Sequence, residues 1–221
     1  MPAMKFLGLL MLDSHFPRPL GDIGHADTFG FAVRRRVVPG ASPRRVVQER
    51  SRGLLAPFIA TARALVDEGA GAIATSCGFL VLFQQELQAA LPVPVWTSSL
   101  LKLAEMPGTP GVITVDPASL SAEHLRAAGA RPGTPVVGLE QGCSLQRTLL
   151  EDRPALDTKA ARDDVLHAAQ RLVQNHPEVD SIVLECTNLP PYADAVRAAT
   201  GLPVHDIRSF LTERWAALQA R

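Results

Sequence analysis

Cysteine is scarce in this sequence, with three residues among 221, and an odd count cannot close into a paired disulfide framework. The thiols are expected to be free, which implies a reducing compartment and makes the cytoplasm the default. Net charge is lacking as well. The 22 Lys and Arg balance the 22 Asp and Glu, so the overall charge points to no nucleic-acid partner. The runs Arg34-Arg35-Arg36 and Arg44-Arg45 read as a solvated face. No apolar run has the length of a membrane span, so no membrane partner is expected. The opening Met-Pro-Ala-Met-Lys-Phe-Leu-Gly-Leu-Leu has no small-residue cleavage site and reads as a first strand, not a secretory signal. After that run, Asp13-Ser14-His15-Phe16-Pro17-Arg18 carries neither a G-x-G-x-x-G nor a P-loop pattern, and no G-x-S-x-G elbow occurs. Dinucleotide, P-loop and serine-hydrolase chemistry lose their usual signatures. Cys-x-x-Cys and His-x-x-x-His spacings are also missing, so no metal site is expected and His15, His25 and His205 read as ordinary hydrogen-bonding residues.

The sequence does contain a repeat. A shift of 109 residues places Ile73 on Ile182, Cys77 on Cys186, Leu80 on Leu189, Pro94 on Pro203 and Val95 on Val204, without a gap. Each copy reads as strand, cysteine, helix, strand. The continuous apolar run at 5–12 suits a strand buried on both faces. Residues 13–33, with Pro17, Pro19, Gly21, Gly24 and Gly30, are too long for a passive connection and read as a lid or a wall of a binding site. Val37-Val38 reads as a short strand and Ser42-Pro43 as a helix start. A helix follows over 54–66 with Pro57 in its first turn. Next come a strand at 72–76, a helix at 79–90, a strand at 93–96 and a short helix at 98–106.

Met106-Pro-Gly-Thr-Pro-Gly111 reads as a linker. A second series begins with a strand at 112–115 and a helix opened by Pro117 and stopped by Gly129. A strand at 136–139 and a helix capped by Asp157 come next. Ile182–Leu184 is a strand, Pro190-Pro191 open a helix, and Pro203-Val204 begin the last strand. Alternating strands and helices predict the α/β class: two pseudo-symmetric parallel-sheet units of about four strands each, with a site in the cleft between them. The units are expected at 1–108 and 109–207, with an amphipathic helix over 208–221 docking back on the first. Ligands of such sheets bind beyond the carboxyl ends of the strands, where Asp13, Cys77, Asp116, Glu140 and Cys186 fall.

A free cysteine is more often a small buried hydrophobe than a reagent, and Cys143, without a partner in the repeat, is read that way. Cys77 and Cys186 differ. Each lies between a strand and a helix start, whose open N–H groups are expected to favour a thiolate. Ser76 and Gly78 flank one, Thr187 and Asn188 the other, and such residues suit a carboxylate. One thiolate would remove a proton beside a carboxylate while the other thiol delivers one to the opposite face.

Asp13-Ser14 after the first strand, a cysteine after the third, and Glu-Cys-Thr-Asn-Leu-Pro-Pro from residue 185 resemble the aspartate/glutamate racemase family. That group is independent of pyridoxal phosphate and includes hydantoin racemases, arylmalonate decarboxylase and maleate isomerase. The resemblance implies two flavodoxin-like domains, no cofactor, a homodimer and a small-molecule carboxylate substrate. It assigns Cys77 and Cys186 as the acid/base pair, and Asp13, Ser14, Ser76, Gly78, Phe79, Thr187 and Asn188 to the substrate pocket. Family racemases commonly follow the first cysteine with Asn-Thr, where this chain has Gly78-Phe79. The second is often followed by Thr-His or Thr-Glu, where Thr187-Asn188 stands. These departures point away from aspartate and glutamate, and Phe79 with Phe16, Phe29 and Phe31 toward a bulkier or less polar substrate or toward core packing.

The leading reading is a racemase or epimerase acting beside a carboxylate or carbonyl. Its enzyme alternatives are a maleate-type cis–trans isomerase and a malonate-type decarboxylase. A non-catalytic carboxylate-binding protein is the alternative from another class, since Glu185 beside Cys186 would oppose a thiolate.

Overall fold

The apolar run after Lys5 forms β1 (Phe6–Met11), and every residue of it is buried. Side chains of a strand alternate between its faces, and here both faces are covered. Phe6 and Leu10 pack with Phe58, Ala62 and Leu65 in one core, while Leu7, Leu9 and Met11 enter another. The computed structural model describes residues 5–220. Residues 1–4, assigned above to the first unit, and Arg221, at the end of the terminal helix, lie outside the described residues.

After β1 come β2 (Val33–Val37), α1 (Pro43–Val47), α2 (Leu55–Asp67), β3 (Ala70–Thr75), α3 (Gln84–Ala90) and β4 (Val95–Trp96). Their strands pair in the order β2-β1-β3-β4, all parallel. The second series is β5 (Pro110–Thr114), α4 (Ala122–Ala127), β6 (Val136–Gly138), α5 (Ser144–Leu150), α6 (Thr158–Asn175), β7 (Ser181–Leu184), α7 (Ala193–Thr200) and β8 (Val204–His205). Its strands pair as β6-β5-β7-β8, again parallel. The predicted α/β class with two four-stranded parallel sheets is therefore what the structure shows.

Local chemistry fixes the element starts. The Ser42 hydroxyl caps α1 ahead of Pro43, and the Asp157 carboxylate accepts from the backbone N–H groups of Lys159 and Ala160 at the start of α6. Pro57 sits in the first turn of α2, where its missing N–H costs nothing. The last helix, α8 (Ile207–Gln219), lays Ile207, Phe210, Leu211 and Trp215 against Leu7, Leu9, Met11, Ala72 and Ala74 of the first sheet.

Several elements depart from the sequence reading. The segments after the two cysteines begin as 3-10 turns, Gly78–Phe83 and Pro190–Tyr192, before α3 and α7 take over. Residues 98–106 hold a 3-10 helix, Ser99–Ala104. Pro117 does not open α4. The Asp116 carboxylate instead accepts from the Ala118 N–H and the Ser119 hydroxyl, which holds a turn, and the helix waits for the capping box of Ser121 and His124. β5 starts at Pro110, inside the expected linker. α5 is a seven-residue helix that the reading did not include.

Candidate active site

Cys77 and Cys186 stand just past the carboxyl ends of β3 and β7, the two strands that pair with β1 and β5 on the side away from β2 and β6. Both cysteines line one cavity. Its other walls are Leu12, Ser76 and Phe79 from the first series, Val115, Thr187 and Asn188 from the second, Phe16 of the long loop, Pro43 and Val47 of α1, and Leu149 and Leu150 of α5. None of these side chains carries a formal charge. The cavity measures about 30 Å³, room for only a few water molecules.

Buried hydroxyls tie the two sheets together beneath it. Thr187 donates to the Ser76 carbonyl at 2.6 Å, and Ser99 donates to the Leu184 carbonyl at 2.7 Å. The Leu12 N–H donates to the Ser76 hydroxyl at 2.9 Å, which joins the end of β1 to the same point. The long loop is anchored as well. Asp152, just after α5, accepts from the backbone N–H groups of His15 and Phe16, and the Phe16 ring is buried in the second core. Of residues 13–33, Phe16 is the one that walls the cavity, and Asp152 anchors it there.

The structure brings together six of the residues singled out above: Cys77, Cys186, Ser76, Phe79, Thr187 and Asn188. It places three others elsewhere. Asp13 is exposed, because the chain turns outward where its N–H donates to the Ala41 carbonyl. The Ser14 hydroxyl accepts from Arg18 at 2.9 Å and does not line the cavity. Gly78 lies behind the wall against Glu185 and serves packing. Of the loop phenylalanines, Phe16 reaches the cavity, whereas Phe29 and Phe31 stack toward Trp215 in the core under α8. Cys143 is the N-terminal flank of α5 and packs against the second core, away from the cavity. Among the described residues no group of three His, Cys, Asp or Glu side chains is arranged to hold a metal ion, and no helix is long and apolar enough to cross a membrane.

Electrostatics reverse one expectation. Both thiols are raised far above the ordinary cysteine range, not lowered. Burial is the main cause at each, and the Glu185 carboxyl is the second. The N–H of Phe79 at Cys77 and the N–H of Asn188 at Cys186 work in the opposite direction and lose. A 3-10 turn of a few residues offers little of the dipole an α-helix would supply, and burial outweighs it. The cavity without ligand thus holds two neutral thiols.

Glu185 is completely buried. Its Oε2 accepts from the Thr114 hydroxyl at 2.8 Å, while Oε1 has no partner. Burial pushes its carboxyl up to about 8, against the Thr114 hydrogen bond and with help from Asp116. Because the folded state prefers the protonated form, this group favours folding fully below about 4.5 and loses that contribution as pH rises toward 8. Glu185→Gln is therefore expected to be more stable than the wild type at pH 9, by as much as about 5 kcal/mol, with the advantage vanishing toward pH 4. Urea unfolding at the two pH values measures this, and parallel stability curves for the two proteins would contradict it.

The residues that the sequence reading missed are those of the surrounding polar shell. Arg18 and Asp22 form a buried ion pair at 3.0 Å. Asp22 also accepts from the side chain of Asn188 at 2.5 Å, and the Asn188 oxygen accepts from Cys186 at 3.4 Å. The presence of an acid and a base four residues apart in a Pro/Gly loop was the only signal available for the first pair.

No family model matches the sequence. Among curated proteins, a dimethylsulfoniopropionate lyase of Durusdinium sp. clade D is 31% identical over an alignment covering 90% of this chain and 70% of that protein. Dimethylsulfoniopropionate lyase 7 of Emiliania huxleyi is 30% identical, covering 96% of this chain and 67% of its own length. Dimethylsulfoniopropionate lyase 3 of the same species is 32% identical over 90% of this chain, which spans only 56% of that longer protein. Among solved structures, unliganded arylmalonate decarboxylase superposes with a TM-score of 0.63 at 16% identity, covering 97% of this chain and 92% of the other. Allantoin racemase from Pseudomonas fluorescens gives 0.61 at 16% identity, covering 97% and 91%. An aspartate racemase homologue from Pyrococcus horikoshii OT3 gives 0.58 at 14% identity, covering 99% and 100%. The fold is thus that of the racemase-like proteins, as the resemblance implied, while the sequence relatives bear the name of a lyase.

Proposed function

From the premise that this chain belongs to the dimethylsulfoniopropionate lyase family, we propose that it catalyses β-elimination from a small sulfonium carboxylate, with dimethylsulfoniopropionate as the first candidate. A cysteine thiolate takes a proton from the carbon beside the carboxylate. The electron pair left behind becomes the carbon–carbon double bond, the carbon–sulfur bond breaks, and its pair leaves on sulfur as neutral dimethyl sulfide. Acrylate remains, and the proton rests on the cysteine until it passes to solvent.

The observation that carries this reading is that Cys77 and Cys186 line one uncharged cavity in a member of a lyase family. The buried setting opposes thiolate formation even with Arg18 acting in its favour at Cys77, and a cationic substrate would add positive charge where it is needed. A sulfonium group supplies that charge. The rings of Phe16 and Phe79 suit such a cation, because aromatic faces attract alkylated onium groups. Backbone N–H groups at the two turns and the Ser76 hydroxyl are the neutral donors available to a carboxylate and to the charge that develops on it.

The test is incubation with dimethylsulfoniopropionate, with headspace gas chromatography for dimethyl sulfide and proton NMR for acrylate. Equal amounts of the two products are expected. A folded protein that releases neither would overturn the reading.

Racemisation or epimerisation is a second reading, favoured by the presence of two thiols at one cavity, because inversion needs a group on each face whereas elimination needs one base. It shares the first step, removal of a proton beside a carboxylate. Deuterium uptake from heavy water across amino acids, hydantoins and malonates, without loss of any group, would support it. Cofactor independence and a homodimer belong to either reading as proposals, and sedimentation would measure the latter.

A further inference from the structure

We propose that Asp22 is a positioning residue that, through Asn188, holds Cys186 as a thiol and so leaves Cys77 as the proton-abstracting base. The inference rests on the acid/base roles proposed for the two cysteines and divides them.

Asp22 is 1% exposed. Its Oδ1 takes hydrogen bonds from Arg18 at 3.0 Å and from the Gly24 N–H at 2.7 Å. Its Oδ2 faces the Asn188 side chain at 2.5 Å. The carboxylate paired with Arg18 accepts there, and the Asn188 atom turned toward it is the amide nitrogen. The amide oxygen then has to point the other way, and there it lies 3.4 Å from the Cys186 sulfur. An oxygen lone pair at that distance welcomes S–H and repels S⁻. The orientation of one amide, set from a loop far away in sequence, thereby fixes which form of Cys186 is favoured.

The first half has no counterpart. The repeat places Phe79 where Asn188 stands, and a phenyl ring offers no acceptor to Cys77. The two sulfurs share part of their remaining surroundings. Glu185 faces both, and each has the N–H of the second residue after it. Cys186 faces Cys77 and Asp22 in addition, and Arg18 faces Cys77. Around Asp22 stand Arg18, Arg35 and Tyr192. Arg18 and the Asp22 charge therefore also distinguish the two sites, and the amide acceptor at Cys186 is the difference that Asn188→Ala isolates.

The experiment follows alkylation of each thiol by iodoacetamide against pH in the full-length chain, with peptide mapping by mass spectrometry. In the wild type, Cys77 is expected to react at lower pH than Cys186. Asp22→Asn lets the Asn188 amide turn over and offer N–H to the sulfur, so Cys186 should react about tenfold faster at a fixed pH, with Cys77 unchanged. Asn188→Ala removes the acceptor while leaving the Arg18–Asp22 pair intact, and the same selective gain is expected should Asp22→Asn fold poorly. A parallel rise at both sulfurs, or no change in their ratio, would overturn the proposal. Alkylation needs no turnover. A selective shift in a protein that releases no dimethyl sulfide would therefore sink the elimination reading alone, and product release with an unchanged ratio would sink this one alone.

Discussion

Cys77→Ala is expected to lower dimethyl sulfide release by roughly 10²–10⁴-fold, the usual worth of a positioned general base. Alanine removes the sulfur and leaves the strand end, the turn and the Thr187–Ser76 bond in place, so thermal stability should change little beyond the effect of a small cavity. Cys186→Ala is expected to differ in kind. If Cys77 takes the proton, exchange of the substrate α-hydrogen with heavy water should persist in Cys186→Ala and vanish in Cys77→Ala. Loss of exchange in Cys186→Ala with retention in Cys77→Ala would reverse the assignment. Full activity in both variants would remove the cysteines from the mechanism. Cys143→Ala, outside the cavity, is the control and should behave as the wild type.

Gly78→Ala is expected to be among the most damaging single-methyl additions in the chain. A Cβ at this position would lie 2.2 Å from Glu185 Oε1 and 2.4 Å from the Glu185 backbone oxygen. A flexible tip could retreat from such a contact. The carbonyl cannot, because Glu185 is held by its own N–H bonded to Ile113 and leads directly into Cys186. Overpacking of this sort costs on the order of 3 kcal/mol, which for a domain of this size lowers the melting temperature by about 6–12 °C. The displacement also pushes the Cys186 turn away from Cys77, so turnover should fall with stability. Gly30→Ala is the matched control, since nothing lies within 4 Å of its Cβ direction. Differential scanning calorimetry of the pair measures the contrast, and equal melting temperatures would refute it.

The parts of this architecture that were legible in sequence are those written as local pattern. A continuous apolar run such as 6–11 suits a strand covered on both sides, and the shift of 109 residues exposes two copies of one unit. The same logic found the cysteines, because a polar break at the end of an apolar strand marks the carboxyl edge of a parallel sheet. Ser76, Phe79, Thr187 and Asn188 followed as their neighbours.

What failed to show was set by contacts distant in sequence. Asp22 meets Asn188 across 166 positions, and no spacing rule spans that. The resemblance places Asp13 and Ser14 in the pocket, yet the chain bonds at Asp13 to the Ala41 carbonyl and leaves the Asp13 side chain exposed. α5 escaped because seven residues contain two turns at most, too few for a period to declare itself. The thiols were read as activated because a helix start lowers a pKa. Their burial, and that of Glu185 beside them, is a tertiary fact that no neighbouring residue announces.

The position of α8 has a consequence for the newborn chain. This helix covers the face of the first sheet formed by Leu7, Leu9 and Met11, yet the ribosome makes it after both sheets. Throughout synthesis the amino-terminal strands must therefore wait with one greasy side bare, open to nascent neighbours and to chaperones. Released chains truncated before Ile207 should therefore be captured by a holdase far more strongly than chains that carry the helix.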